Sequence, residues 1–274
     1  MKGFLFLILS LTISVPVNAW EQHSPYPLAQ CLSQAPYGYP RTTKQGTAIC
    51  RLGYVSLNDP IAKLPIWVSY LAIPDKSIGC VLRSNAFAPD QSLPKGSRAE
   101  LADYAKSGYD IGHVAPNSDQ NWSTQVELES FLLTNMMPQL PGLNRATWKL
   151  LETSIRSWVL QRNHPMVIYA GPIYNTADPV IGISKVIIPH AFYKIVIDTI
   201  SNEVLGFIFP HTGGLGNDLR TVRAPILQIE QLTGVDFIYP TNAVELPLNQ
   251  IWAVNFGALI NAKRSKCGTS IITN

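Results

Sequence analysis

The stretch from Tyr109 to Arg156 constrains this chain more than any other, because it sets polar groups on the edge of an apolar helix face. Trp148, Leu151, Ile155 and Val159 recur at helical spacing and predict a helix over about 143–160. At about 100° per residue, Asn144 lies in the direction of the Leu151, Ile155 and Val159 stripe, and Glu152 about 80° from it. An amide and a carboxylate therefore point toward the interior, where leaving them unpaired costs a few kcal/mol. Two partners satisfy that pattern, and spacing does not separate them. One is Arg156, four residues after Glu152, in a helical ion pair. The other is a hydrated divalent cation with Asn144 as a direct oxygen ligand and Glu152 holding its waters, which suits magnesium because that ion dehydrates reluctantly.

Upstream, Tyr109-Asp110-Ile111-Gly112-His113-Val114-Ala115-Pro116 places a glycine beside a histidine and stops on a proline. On its own such a histidine reads as a hydrogen-bonded structural residue. The polar helix downstream is what makes it a candidate for chemistry.

The remaining chain has to enclose that segment. Of 274 residues, 46% are apolar and 14% charged, which excludes a disordered chain, a coiled coil and a collagen-like repeat. A net charge of +3 is too mild to mark a polyanion-binding protein, so any such site must be local. Lys2, the apolar run from Phe4 to Ile13 and the exit Val17-Asn18-Ala19 read as a secretory signal cleaved after Ala19. An uncleaved anchor is the alternative, but the run falls short of the ~20 residues that span a bilayer. The expected mature chain is secreted or periplasmic, with no membrane segment.

Cys31, Cys50, Cys80 and Cys267 form an even set, which in an exported protein implies two disulfides. Three connectivities fit. The turn-rich stretch between Cys31 and Cys50 favours that pair, leaving Cys80 with Cys267 to tie the C-terminal tail to the body. Zinc is the competing use, yet no Cys-x-x-Cys pair or histidine at ligand spacing accompanies the four.

Residues 20–59, rich in Pro, Tyr, Gly and Gln, read as an irregular N-terminal layer. Strands are expected at Pro65–Ala72, Ile78–Leu82, Met166–Ala170, Val186–Ile188, Phe192–Ile197 and Val204–Phe209, with a loop over Pro89–Tyr109. A last helix could begin in Pro225–Leu232, and residues 241–274 are a C-terminal extension packed on the same domain. The run Lys263-Arg264-Ser265-Lys266 reads as a solvated tail or a short backbone contact to nucleic acid.

Taken in order, the segments around these residues resemble a known family. Asp110-Ile111-Gly112-His113, then Ser130 to Gln139, then Asn144, Trp148, Leu151 and Glu152 resemble the DNA/RNA non-specific endonucleases. Further matches are Ala170-Gly171-Pro172-Ile173-Tyr174, Val186-Ile187-Ile188-Pro189, Phe192-Tyr193-Lys194 and Ile229-Glu230 with Thr233-Gly234. The resemblance covers about residues 60–240. It implies an α+β fold of the ββα-metal (His-Me finger) type, with a central mainly antiparallel sheet flanked by helices. It also implies hydrolysis of DNA or RNA phosphodiesters to 5′-phosphate products with Mg²⁺, or Mn²⁺ in its place.

Carried over residue by residue, the resemblance implies His113 as general base and Asn144 as metal ligand. Glu152 would orient the ion's waters, and Asn135 would support the histidine or the phosphate. Arg83, in Arg83-x-x-x-Phe87-x-x-Asp90, and Arg156 would contact phosphate. Gln139 would shape the loop and Asp110 would fix the turn. The family motif reads Asp-Arg-Gly-His, and here Ile111 replaces its arginine, removing a fork able to hold carboxylate or phosphate. Either another cation compensates or the enzyme is slow. An unperturbed imidazole, with a pKa near 6.5, predicts activity rising from acid toward neutral pH. Two further classes stay open: a non-catalytic nucleic-acid-binding protein, which Ile111 favours, and a delivered nuclease toxin with an inhibitor or immunity protein as partner.

Overall fold

The computed structural model describes residues 26–268; the expected signal, residues 1–19, lies outside them. Strands β1 (Arg41–Thr42), β2 (Thr47–Cys50), β3 (Val55–Asp59) and β4 (Leu64–Ala72) lead into helix α1 (Leu101–Tyr104) and β5 (Asp110–His113). Helices α2 (Asn117–Gln120) and α3 (Thr124–Ser130) precede β6 (Met136–Gln139), and α4 (Lys149–Arg162) follows. Next come β7 (Met166–Ile173), β8 (Val180–Ile181), β9 (Val186–Ile187), β10 (Ala191–Asp198) and β11 (Glu203–Pro210). Helix α5 (Ile226–Thr233), β12 (Val235–Asp236), β13 (Val244–Glu245) and α6 (Phe256–Cys267) complete the order.

Seven strands form the central sheet in the order β13-β11-β10-β7-β4-β3-β2. Every pair is antiparallel except β11 with β13. The fold is thus α+β, with helices covering both faces. That coverage explains why β7 and β10 are buried at all eight positions and read as continuous apolar runs. Side chains alternate between two cores with the period of two that a pleat imposes. Ile168, Ala170, Phe192 and Val196 meet Trp148, Leu151 and Ile155 of the long helix region. Val167, Tyr169, Tyr193, Ile195 and Ile197 meet Ile226 and Ile229 of α5 on the other side.

Several expectations are corrected here. The expected irregular layer over residues 20–59 is not wholly irregular in its described part, 26–59, because β2 and β3 there extend the central sheet. Their Gly, Asn and Asp neighbours obscured two short strands. Ile78–Leu82 makes no strand; Val81 N–H instead donates to Asn121 O at 3.1 Å. The expected loop over Pro89–Tyr109 contains α1. The long helix reaches Arg162, and its first turn, Leu143–Trp148, is π-helical. The basic run 263–266 lies on α6 rather than on a tail.

Both disulfides join the favoured pairs, Cys31 with Cys50 and Cys80 with Cys267. Arg223, itself buried, holds the chain beyond α5 by donating to the carbonyls of Gly206, Leu246, Pro247 and Gln250. No helix of the described residues is long and apolar enough to cross a membrane.

Candidate active site

The β5–β6 hairpin and α4 form a ββα unit set on one face of the central sheet. β5 pairs with β6 from Asp110↔Gln139 to His113↔Met136. Gly112 leaves room there for Gln139: a Cβ would lie 2.0 Å from Gln139 Oε1 and displace its side chain. Gln139 is fully buried against it and lies away from the cleft described below.

His113 follows, and its backbone is fixed at three successive residues. The His113 carbonyl accepts from Trp148 Nε1 at 3.3 Å, and the Val114 carbonyl from Lys194 Nζ at 2.9 Å. Ala115 is bound at both its N–H and its carbonyl, each 2.9 Å from the Asn135 amide. The imidazole sits between Phe87 and Phe131, with ring centroids at 5.6 and 5.1 Å, and the residue is only 8% exposed. Its Nε2 is sealed without a partner, which leaves Nδ1 as the nitrogen with access to the cleft. Burial, helped by the Arg83 and Lys194 charges, pushes the imidazole pKa down to about 3. The expectation of an ordinary imidazole is therefore overturned, and the ring is neutral at physiological pH.

The helix supplies the facing wall. A π-helical turn over Leu143–Trp148 is a frequent feature of functional sites, and it carries Asn144 and Arg145. Asn144 Nδ2 donates to Asp110 Oδ2 at 2.9 Å, while Arg145 holds both Asp110 oxygens at 2.9 and 2.6 Å. Burial alone would raise the Asp110 pKa, but the Arg145 and Asn144 hydrogen bonds hold it below the usual carboxylate value. With its nitrogen engaged, Asn144 offers its amide oxygen to a cation.

Two turns on from Asn144, Glu152 Oε1 is sealed and has no hydrogen-bond partner among the described residues. Burial raises this carboxyl's pKa, and Lys194 and Arg156 oppose the rise. Of the two partners the sequence left open for Glu152, the helical ion pair with Arg156 is not formed among the described residues. Arg156 instead donates to Asp119 Oδ1 at 2.9 Å and to Thr153 Oγ1 at 3.1 Å, and Tyr70 O–H caps the other Asp119 oxygen at 3.0 Å.

His113, Asn144, Glu152, Arg83 and Arg156 line a single cleft of about 440 Å³. Asn135 does not; it is fully buried behind the histidine, bonded to backbone. Arg83 donates to Asn85 Oδ1 at 2.6 Å and stands 4.9 Å over Phe131, the ring that also packs on His113. Ile111 is in the cleft lining too, together with Arg145, Lys149 and Lys263. Among the described residues, then, the cleft gathers five cationic side chains against one carboxylate, a concentration that the mild net charge hides.

Sequence reasoning gave no role to Lys194, which is fully buried yet bonds to Val114 and lies 4.3 Å over the Trp148 ring. Its one signal was a charge among the apolar residues of β10. Arg145 and Lys149 were missed because nothing local distinguishes them from solvated helix residues.

The donor set suits a hard cation. An amide oxygen and a carboxylate with one unpartnered oxygen are oxygen ligands of the kind Mg²⁺ and Mn²⁺ prefer. Among the described residues no three His, Cys, Asp or Glu side chains converge as a metal cage, so an ion here would keep most of its waters.

Known proteins are similar to this chain in sequence and in fold. The DNA/RNA non-specific endonuclease profile matches residues 35–243. A nuclease of Nostoc sp. is 35% identical over 184 residues, 63% of this chain and 66% of that protein. Mitochondrial endonuclease G of Bos taurus is 31% identical over 220 residues, 74% of this chain and 72% of that one. In fold, the chain is similar to a crystal structure of an EndoG/EndoGI complex, which concerns EndoG inhibition. The TM-score is 0.69 at 24% identity, over 83% of this chain and 94% of that one. With the hairpin, helix and cleft in place and most of its length matched, this chain belongs to the DNA/RNA non-specific endonuclease family.

Proposed function

We propose that this chain is an exported, divalent-cation-dependent endonuclease that hydrolyses phosphodiester bonds of DNA, RNA or both, with His113 as general base. The observation that carries the reading is the convergence of His113, Asn144 and Glu152 on one cation-rich cleft. A neutral imidazole can accept a proton without first losing one, and with Nε2 sealed, Nδ1 is the nitrogen that would take it from the attacking water. The aromatic slot holds the ring plane, and Asn135 acts behind it as a positioning residue on Ala115. A phosphate entering the cleft supplies the negative charge that favours the imidazolium once the proton has moved. Arg83 and Arg156 would grip phosphoryl oxygens through their guanidinium forks. Asn144 and Glu152 would hold Mg²⁺, or Mn²⁺ in its place, which when bound supplies charge neutralisation at the phosphoryl and leaving oxygens. The products carry 5′-phosphates.

Two disulfides suit an oxidising compartment, which supports export alongside the apolar N-terminal run. A protein inhibitor is a partner class that the EndoG/EndoGI complex brings forward for this chain. Ile111, apolar in the cleft lining, favours the second reading, a binder without turnover.

Incubation with supercoiled plasmid separates the two. Nicking and linearisation are expected with Mg²⁺ and none with EDTA. Retained but uncut plasmid in both Mg²⁺ and Mn²⁺ would establish the binder instead.

A further inference from the structure

The family match stops at residue 243, and α6 lies beyond it, yet this helix reaches the cleft. Lys263 lines the main cleft with His113 and Arg156. It also lines an adjoining cavity of about 200 Å³, again with Arg156, whose apolar side is Ile78, Leu259 and Ile260. Lys263 and Arg156 therefore stand where the two cavities meet. Lys263 is half-buried, and among the described residues no carboxylate lies within ion-pair distance of it. Arg156, by contrast, already keeps Asp119. Burial and the like charge of Arg156 both lower the Lys263 pKa, a cost that a bound anion would offset.

Burial does not hold α6 in this position, because none of its residues is fully buried. It is attached by the Cys80–Cys267 disulfide, by Lys266 Nζ donating to Asp75 O at 2.6 Å, and by Asn255 N–H donating to Ser157 Oγ at 2.9 Å. Cys80 directly precedes Val81, Leu82 and Arg83 of the opposite cleft wall. One covalent bond thus ties the two sides of the substrate path together.

We propose that Lys263 forms, beside Arg156, a second phosphate subsite for a backbone phosphodiester flanking the scissile one, and that the Cys80–Cys267 disulfide holds α6 in place to present it. The proposal rests on the nuclease reading above and adds a binding element from outside the matched family region.

Steady-state plasmid cleavage across a salt series, with Mg²⁺ present, tests it. Lys263→Gln is expected to raise KM roughly fivefold at low salt, with kcat within about twofold, as loss of one charged phosphate contact should. The slope of log(1/KM) against log salt should flatten by about 0.7–0.9, the share of one phosphate contact. Lys263→Arg should restore both. The pair Cys80→Ser and Cys267→Ser, made together so that Cys31–Cys50 stays intact, should reproduce the KM rise and add nothing to Lys263→Gln. An unchanged KM and salt slope in Lys263→Gln, beside a wild type that cleaves, overturns the subsite and leaves the nuclease reading standing. A kcat loss at constant KM overturns it as well. A wild type that neither binds nor cuts nucleic acid would sink the functional reading, and the subsite with it.

Discussion

The floor and the rim of the cleft are built on opposite terms. The floor residues His113 and Glu152, with the buried Lys194 packed behind them, hold sealed atoms without partners or bonds to backbone, and have displaced pKa values. The rim residue Arg145 has a side chain 71% exposed and pairs from solvent with the more buried Asp110. The contrast teaches where free energy is stored. On the proposed reading, desolvated groups on the floor would carry reactivity and strain on stability, whereas exposed cations on the rim would set affinity and its dependence on salt.

The largest effect expected of the floor is on stability at low pH. The His113 pKa is depressed in the fold, from 6.5 to about 3, so its stabilising contribution is present above pH 6.5 and is lost as pH falls toward 3. At about 1.4 kcal/mol per pKa unit, this amounts to roughly 4–5 kcal/mol over that window. Glu152 works in the opposite sense: its raised pKa favours the fold at low pH, and that contribution is lost as pH rises through the folded value. His113→Phe keeps an aromatic ring in the slot and removes only the titration. Urea unfolding at pH 7 and pH 4 should show a much smaller acid loss in the variant. Equal losses in both proteins would return His113 to the ordinary range and erase this side of the contrast.

Next comes the buried pair. Lys194 loses charge stability to burial and regains some from Glu152. Lys194→Met strips Glu152 of a compensating charge and should destabilise the fold by about 3–5 kcal/mol. Adding Glu152→Gln should recover much of that, since removing both charges is far less harmful than removing one. A double variant as unstable as the single would mean that Lys194 acts through its bond to Val114 alone. His113→Ala should follow in size, lowering kcat by roughly 10²-fold or more at saturating Mg²⁺ with KM little changed. Retained turnover would move the base elsewhere.

How much of this could be read beforehand depended on whether the determining contacts were local. The apolar stripe of Trp148, Leu151, Ile155 and Val159 is a local periodicity, and all four side chains are fully buried. The favoured cysteine pairs likewise needed only their placement along the chain. The π-helical turn at Leu143 escaped because a 3.6-residue period carries no sign of a wider one. The depressed His113 pKa depends on Phe87 and Phe131, far away in sequence. Arg145 and Asp110 meet across 35 residues, and Lys194 differs from any strand lysine only in what α4 places above it. Helix α6 went unseen because it buries no apolar stripe.

The smallest prediction bears on the rim, and on Ile111. An arginine at position 111 would have offered the cleft a guanidinium, and Arg145 now brings one beside Asp110 from the helix. The Arg145 end of its pair with Asp110 is exposed, and such pairs add little to stability. Arg145→Gln should therefore leave the fold nearly as stable, raise KM roughly two- to threefold and flatten the salt slope by up to about 0.9, with kcat held. Ile111→Arg in that background should restore the salt slope, because a guanidinium returns to the same cleft from the strand side. If Arg145→Gln instead lowers kcat as steeply as a floor variant, the Asp110 bridge to Asn144 is part of the chemical machinery. The division between floor and rim would then run through Asp110 rather than beside it.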